Sequence, residues 1–356
     1  MKNNIMRLLQ FLCIAVTFVA CERRPLVEAG NTHYVRVYID ENIKNVTHGF
    51  YNEAHESSAF LKTPDVMRLI LADPVTGAPR AERFLRNKGV DAKGTYYDGY
   101  IITDHGTYSL LAYNYDTETT IVTNNGNNAD TKAFTNEIAS HLRELISSRA
   151  DVKDERIAYE PDHLYHVMEE EVYIPLKETI DTITPRDGGD FVATSSVKSY
   201  YLQVRVKGIE YASSTVGLLT GLSGSIWLKE NIIDETDSVT VYFELSPNSL
   251  SPTGIMRTGN KDDVVTLYTT FRTFGKIPQM QNRLEITFDF LTTYGKSYSE
   301  TIDITDLFSS PTAINNQWLL IDHTIEIPEP PPSEGEGGGF KPSVGEWGDV
   351  NEDIII

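Results

Sequence analysis

Hydrophobic residues fall on every second position in many short stretches of this chain. Val35, Val37 and Ile39 share one face while Tyr34, Arg36 and Tyr38 share the other, the mark of a strand with one buried side. The alternation returns at Leu202, Val204 and Val206, at Val239, Val241, Phe243 and Leu245, at Val265, Leu267 and Phe271, and at Leu284, Ile286, Phe288 and Phe290. Turn signals separate the strands: Asp73-Pro74-Val75-Thr76-Gly77, Asn124-Asn125-Gly126-Asn127, Asp187-Gly188-Gly189 and Ser246-Pro247-Asn248. Many short strands with such turns predict an all-β chain of sandwiches. One segment differs. Phe134, Ile138, Leu142 and Leu145 or Ile146 recur at helical spacing between Asp130 and Arg149, which predicts one amphipathic helix covering a sheet of the first domain.

Both ends of the chain depart from this pattern. Lys2 and Arg7 precede an apolar run from Leu8 to Val19, and Ala20 then stands before Cys21. A basic start, a short apolar stretch and a small residue read as an export signal. The run is too short to span a bilayer, which takes about 20 residues. Phe18-Val19-Ala20-Cys21 resembles the lipobox of bacterial lipoproteins, with Phe18 where leucine is usual. That likeness implies cleavage after Ala20 and acylation of Cys21 by palmitate-type chains. At the other end, Pro328, Pro330, Pro331 and Pro332 lead into Ser333-Glu334-Gly335-Glu336-Gly337-Gly338-Gly339, stiff and then flexible. After this tether come Phe340, Val344, Trp347, Val350, Ile354, Ile355 and Ile356, too many large apolar side chains for a solvated tail. An extended apolar segment on a tether can add to a sheet edge. These seven residues are therefore the expected partner-binding positions, either folded back on the second domain or donated to a neighbour.

Composition narrows the function classes. The net charge of −20 becomes −22 once Lys2 and Arg7 leave with the signal, which disfavours nucleic acid as a partner. The only other cysteine, Cys13, lies inside the signal, so stability is expected from core burial and not from disulfides. Candidate chemistry is sparse. His163 and His166 precede Glu169, Glu170 and Glu171, a spacing that could gather metal ligands on a helix, but no Cys or third close His supports it, and no metal is assigned. Asp349-Val350-Asn351-Glu352-Asp353 imitates the start of a calcium loop, yet Ile354 replaces the required glycine. Gly217, Gly221 and Gly224 lack the Lys-Ser/Thr of a phosphate loop and read as turn and bulge glycines. Ser223 lacks the glycine frame of a nucleophile elbow, because position 225 is Ser. Tyr96, Tyr97 and Tyr100 could form a sugar-stacking platform, with cross-strand packing as the competing use. Neither catalytic residues nor a cofactor are assigned.

Several stretches resemble the fimbrillin-A-associated anchor lipoproteins (FimB-like) of Bacteroides-type bacteria, relatives of type V pilus subunits. They are Tyr34-Val35-Arg36-Val37-Tyr38, the hairpin from Val66 to Gly77, Gly106-Thr107-Tyr108-Ser109-Leu110-Leu111-Ala112-Tyr113-Asn114 and Leu222-Ser223-Gly224-Ser225. Thr273-Phe274-Gly275, Ile302-Asp303-Ile304-Thr305-Asp306 and Gly337-Gly338-Gly339-Phe340 fit as well. The resemblance implies two tandem transthyretin-like Greek-key sandwiches, the helix lying in the first. It further implies an outer-membrane lipid anchor that binds fimbrial stalk or accessory subunits. The expected division is a signal at 1–20, a lipidated linker at 21–32, sandwiches at 33–162 and 163–327, and a tether with tail at 328–356. A glycan-binding surface lipoprotein of a nutrient-uptake system is the second reading; an envelope hydrolase has the least support.

Overall fold

A computed structural model describes residues 31–40, 63–123, 130–147, 155–176, 181–245, 264–278 and 284–331, and the backbone of a hairpin at 45–48 and 53–56. The chain begins with β1 (Thr32–Ile39), β2 (Asn45–His48), β3 (Glu53–Glu56), β4 (Met67–Ala72), β5 (Pro79–Leu85), β6 (Asn87–Asp91), β7 (Gly94–Ile102) and β8 (Gly106–Asn114). Next come β9 (Thr120–Thr123), β10 (Lys132–Thr135), helix α1 (Ser140–Ser147), β11 (Arg156–Tyr159), β12 (Tyr165–Ile174), β13 (Asp181–Thr182) and β14 (Phe191–Ser195). The remainder is β15 (Lys198–Lys207), β16 (Ala212–Ser223), β17 (Ser225–Trp227), β18 (Ile232–Ile233), β19 (Ser238–Glu244), β20 (Val264–Thr273), β21 (Glu285–Thr292) and β22 (Ser297–Asp303). Short helices α2 (Thr305–Phe308) and α3 (Pro311–Asn316) then lead into β23 (Trp318–Glu326). The chain is all-β in class, with several sheets.

The first sheet has the order β5-β4-β8-β12-β14-β1-β7-β6, with β13 beside β1. Its apolar face carries Val35 and Val37, Met67, Leu69 and Leu71, Leu110 and Phe191, all in one core. A sheet with one apolar face must cover it, and this one does so by curling. Its β5 end comes over β7, where a Cβ on Gly99 would stand 3.0 Å from the Leu85 side chain. The middle of the curl is a short ladder, Tyr165 opposite Ser195 and His166 opposite Thr194. His166 is buried at that seam, its Nδ1 2.5 Å from the Ser196 hydroxyl.

A second core lies between the five-stranded sheet β11-β19-β16-β21-β22 and the three-stranded sheet β20-β15-β23. The first contributes Val239, Val241, Phe243, Ile286 and Phe288, the second Leu202, Val204, Val206, Leu267 and Phe271. Two sheets facing across an apolar layer make a sandwich. Phe271 stacks on Tyr200 at 5.6 Å and on Phe243 at 5.2 Å between ring centres, an aromatic column that crosses the layer. The Phe243 ring also lies against Gly217, where a Cβ would sit 2.2 Å from it, so only glycine fits on β16 there.

The two units are not strictly sequential. From residue 118 to 160 the chain leaves the first sheet and packs on the second sandwich: β10 pairs with β17, and β11 runs parallel to β19. The helix belongs to this arm and is shorter than its pattern suggests, because Phe134 sits in β10. Ile138 and Ile146 pack on Leu218 and Tyr242, the outer face of the five-stranded sheet, and not on the first domain. Local periodicity defines which side of a helix is apolar; which sheet receives it depends on pairings distant in sequence. The chain then returns, with β12 beside β8 and β14 beside β1. Strands that begin beyond the expected boundary at 162/163 thus complete the first sheet. The arm is closed at its base by Asp162, whose Oδ2 accepts the backbone N–H groups of Glu118, Thr119 and Thr120 at 2.7, 2.6 and 3.0 Å. Arg272 on β20 holds Glu160 at 2.9 Å, and Arg156 donates to Asp237 at 2.9 Å. A third cluster, with Ile70, Leu111 and Tyr113 on one side and Ile226, Leu228 and Phe274 on the other, joins the outside of the first sheet to the second unit.

Removing the centre of the aromatic column by Phe271→Ala should cost about 3–5 kcal/mol, the usual penalty for emptying a packed aromatic site, read as a lower urea midpoint at unchanged slope. Burial pushes the His166 imidazole below its ordinary value of 6.5. The unfolded chain therefore takes up that proton first, so the contribution is present above pH 6.5 and declines as pH falls below it. Chemical denaturation across that window should show a flatter pH dependence in His166→Gln than in the parent chain.

Candidate functional site

The described residues do not include Ala20, Cys21, Phe340, Val344, Trp347, Val350, Ile354, Ile355 or Ile356, so the lipidation and tail positions lie outside them, as do the calcium-loop imitation at 349–353 and the turns at 124–127 and 246–248. What the structure does build is a polar aromatic face on the outside of the first sheet. Alternation along β1 sends Tyr34, Arg36 and Tyr38 outward, and their register partners on β7 are Tyr100, Asp98 and Tyr96. Beyond β7, Gly89 of β6 stands opposite Tyr96. A Cβ at Gly89 would meet the Tyr96 ring at 2.4 Å, so the glycine lets that ring lie flat across the edge strand.

Arg36 organises this face. Its guanidinium lies 3.9 Å from the centre of the Tyr96 ring, a cation–π stack. It donates to the Tyr34 hydroxyl at 3.0 Å, the Tyr38 hydroxyl at 3.2 Å and Asp91 at 3.2 Å. The Tyr34 hydroxyl in turn donates to Asp98 at 2.6 Å, and the Tyr38 hydroxyl to Asp91 at 2.8 Å. These contacts set the charges. The Tyr38 and Tyr34 hydroxyls raise the Arg36 pKa, the backbone N–H of Lys93 leads in lowering that of Asp91, and burial followed by Asp98 raises that of Tyr34. The face therefore stays fully ionised at Arg36 and Asp91 and protonated at Tyr34 near neutral pH.

Next to it, a groove of about 350 Å³ opens where β13 and β14 leave β1, lined among others by Tyr34, Arg36, Tyr38, Lys93, Thr182 and Asp190. Lys93 bridges the rim to Asp190 at 2.5 Å, and that carboxylate raises the Lys93 pKa. With two cations and neighbouring carboxylates, the lining offers donors and acceptors in near balance beside aromatic edges. Such a surface can hold a neutral, hydroxyl-rich group or a polar protein loop; it has no activated nucleophile.

The three tyrosines singled out in the sequence separate. Tyr97 points into the core, where its hydroxyl donates to the Pro64 carbonyl. Tyr96 and Tyr100 face outward, but their rings are inclined 61° to Tyr38 and Tyr34 rather than forming one plane. Tyr100 is half exposed, at 52%. Cross-strand packing accounts for two of the three. His163 and His166 flank the start of a strand and not a helix: His166 is turned into the seam, while Glu170 and Glu171 reach Lys229 and Arg186. No group of three or more potential metal ligands occurs among the described residues. Gly221 has φ +78 at a bulge in β16, and the Ser223 hydroxyl donates to the carbonyls of Ser225 and Asp234, both structural roles. Sequence reasoning did not find the Arg36 network. Its signal was present in Tyr34-Val35-Arg36-Val37-Tyr38, a cation flanked on one strand face by two tyrosines, but Asp91, Asp98 and Gly89 can be assigned to it only once register is known.

The chain is similar to proteins of Bacteroides and Porphyromonas. It is 22% identical, over 98% of its own length and 97% of the relative's, to a Bacteroides ovatus protein described as "Putative fimbrium anchoring subunit Fim4B". The crystal structure of a "putative adhesin" from Bacteroides ovatus has the same fold over 88% of this chain and 98% of that one, with a TM-score of 0.52 and 19% identity. The fimbrial anchor protein Mfa2 from Porphyromonas gingivalis aligns over 79% of this chain and 85% of its own, with a TM-score of 0.37 and 12% identity. The family model described as "Domain of unknown function (DUF5119)" matches residues 57–244, which include all of β4 to β19, the arm among them. The chain belongs to that family.

Proposed function

We propose that this protein is a non-enzymatic, lipid-anchored fimbrial subunit that fastens a fimbria to the outer membrane. The single observation that carries the reading is the similarity to a protein described as a fimbrium anchoring subunit, since it spans 98% of this chain and 97% of that relative. The basic and apolar start with Ala20 before Cys21 supplies the membrane half: a diacylated cysteine with a further acyl chain holds a protein stably, each buried methylene contributing about 0.8 kcal/mol. The fimbrial half is protein contact. The stalk or an accessory subunit is met by the second sandwich and by the tail residues Phe340, Val344, Trp347, Val350, Ile354, Ile355 and Ile356. In this reading the chain is two transthyretin-like sandwiches joined by the arm, displayed on the outer membrane by the lipid.

The fold suits a tether under tension. β1 follows the lipidated segment and is an inner strand, paired with β7 on one side and with β13 and β14 on the other. A pull on the N-terminus shears both ladders at once instead of peeling them bond by bond. A second reading, glycan capture at the cell surface, is favoured by one observation, the groove beside Arg36 with its tyrosine edges.

Metabolic labelling with radioactive palmitate should mark the mature chain and should be abolished by Cys21→Ser, with the variant released from outer-membrane fractions. Deleting residues 333–356 should reduce co-isolation with fimbrial subunits; unchanged co-isolation together with an unchanged urea midpoint would contradict the reading of the tail as a contact segment.

A further inference from the structure

On one side of β1 lie two different strands, and they do not meet. β13 stands opposite His33 and Tyr34, β14 opposite Val37 to Ile39, and among the described residues Val35 and Arg36 have no register partner between them on that side. The chain leaves the sheet after Ile183 and rejoins it at Phe191, and the groove beside Arg36 opens in the gap. Its rim is tied in place. Gly188, at φ +77, donates its N–H to the Pro185 carbonyl at 2.9 Å, and the Asp187 carboxylate accepts the Gly189 N–H at 2.9 Å. Arg186 in turn holds Glu171 of β12 at 2.7 Å. The loop that carries Asp190 is therefore set before any ligand arrives.

Size argues for a small ligand. Ten described residues line the groove, whereas a stable protein contact engages about 20–30 residues a side, and about 350 Å³ falls within the range of small-molecule sites, about 300–1,000 Å³. Charge argues for a neutral one. The Arg36 nitrogens are all engaged, Nε and Nη2 with the Tyr34 hydroxyl and Nη1 with the Tyr38 hydroxyl and Asp91, and Asp98 lies 3.8 Å from Nη2. Lys93 is held by Asp190. An incoming anion would meet three carboxylates around cations that are already paired. The Lys93 side chain also covers an aromatic face: Tyr38 is 5% exposed, and the Lys93 ammonium stands 5.8 Å from its ring centre. The Lys93 and Asp190 side chains are themselves 64% and 38% exposed, and a pair so open to water contributes little, so the cover lifts readily. Lifting it bares the Tyr38 ring and frees the Asp190 carboxylate to accept hydrogen bonds, beside the exposed side chains of Thr182 and Thr184. An aromatic face next to a few fixed acceptors and hydroxyls matches a sugar ring, which has a C–H face and a rim of hydroxyls. We propose that the groove binds a neutral saccharide, one ring of which lays its C–H face on Tyr38 in place of the Lys93 ammonium while its hydroxyls bond to Asp190, Thr182 and Thr184. The site rests on the glycan-capture reading of the groove, adds to it the sugar's class and a movable cover, and is independent of the anchoring role.

Saturation-transfer NMR on the full mature chain tests this, with galactose, mannose, glucose and N-acetylglucosamine as neutral probes and glucuronic and N-acetylneuraminic acids as charged ones. Transfer from tyrosine ring protons to the C–H protons of a neutral sugar is expected, and it should hold or strengthen at high salt, which loosens only the Lys93–Asp190 pair. Lys93→Ala should tighten binding several-fold by uncovering Tyr38. Adding Asp190→Ala to that variant should weaken it about tenfold, the effect of losing a charged acceptor. Transfer to none of the neutral probes would overturn both the proposal and the glycan reading. Tighter binding of the acids, lost at high salt, would overturn the neutral class. A neutral sugar that binds equally well to the parent and both variants would overturn this site while glycan capture stands. Competition by a neutral polysaccharide stripped from the same cells separates a surface chain from a soluble sugar as the source. Co-isolation with fimbrial subunits should be the same in both variants, so the anchoring role is scored apart.

Discussion

One carboxylate closes the loop on which the architecture depends. Asp162 gathers three successive backbone N–H groups, from Glu118 to Thr120, and its own backbone N–H donates to the Thr120 hydroxyl at 2.8 Å. The two ends of the arm are thereby held together, so everything between them can reach across to the second sandwich while β8 and β12 stay adjacent in the first sheet. A carboxylate that accepts several backbone donors is a strong local fastener, because each bond is charge-assisted and none of the three donors is left unpaired. Further out, Glu160 with Arg272 and Arg156 with Asp237 fix the arm to its host. These ion pairs are about three-quarters covered, which lifts them above the low worth of fully exposed pairs. Their partners lie 81 and 112 residues away in sequence.

The sequence made some of this legible and hid the rest for physical reasons. The inward faces of β1, β15, β19 and β21 could be read from alternation, because a half-buried strand must repeat every second residue, and Val35, Leu202, Val241 and Phe288 are all in the core. The bulge glycine at 221 and the turn at Asp73, where Gly77 donates to the Asp73 carbonyl at 2.8 Å, were also visible from residue type. Destination was not. Ile138 and Ile146 announce an apolar helix face but not the sheet beneath it, and nothing local in Arg156–Tyr159 reveals that β11 is a parallel partner of β19. Nor could alternation reveal the buried outer face at Gln203 and Trp318. A strand covered on both sides loses the polar half of its pattern, and Tyr201, Gln203 and Arg205 kept that half polar enough to read as solvent-facing.

The aromatic face and the first core belong to opposite aspects of one strand. β1 places Val35 and Val37 in the first core and Arg36 on the tyrosine surface, so this strand is held from both sides: by apolar packing within and by the Arg36 network without. With two cysteines in the whole sequence, the chain relies on such packing for its durability. The proposed anchoring role asks for this property, since tension between membrane and fimbria enters at β1 and leaves through the second sandwich. The arm, and the third cluster that joins Tyr113 to Phe274, decide whether the two units share that tension or fail one after the other.

Single-molecule stretching of the chain between its N-terminal attachment and the end of β23 examines that coupling most directly. With the arm in place, the curled first sheet and the sandwich should yield in one event whose released length corresponds to the whole folded chain. Two separate events, with the sandwich unfolding while the first sheet remains intact and no change on replacing Asp162 by Ala, would contradict the interlocked account.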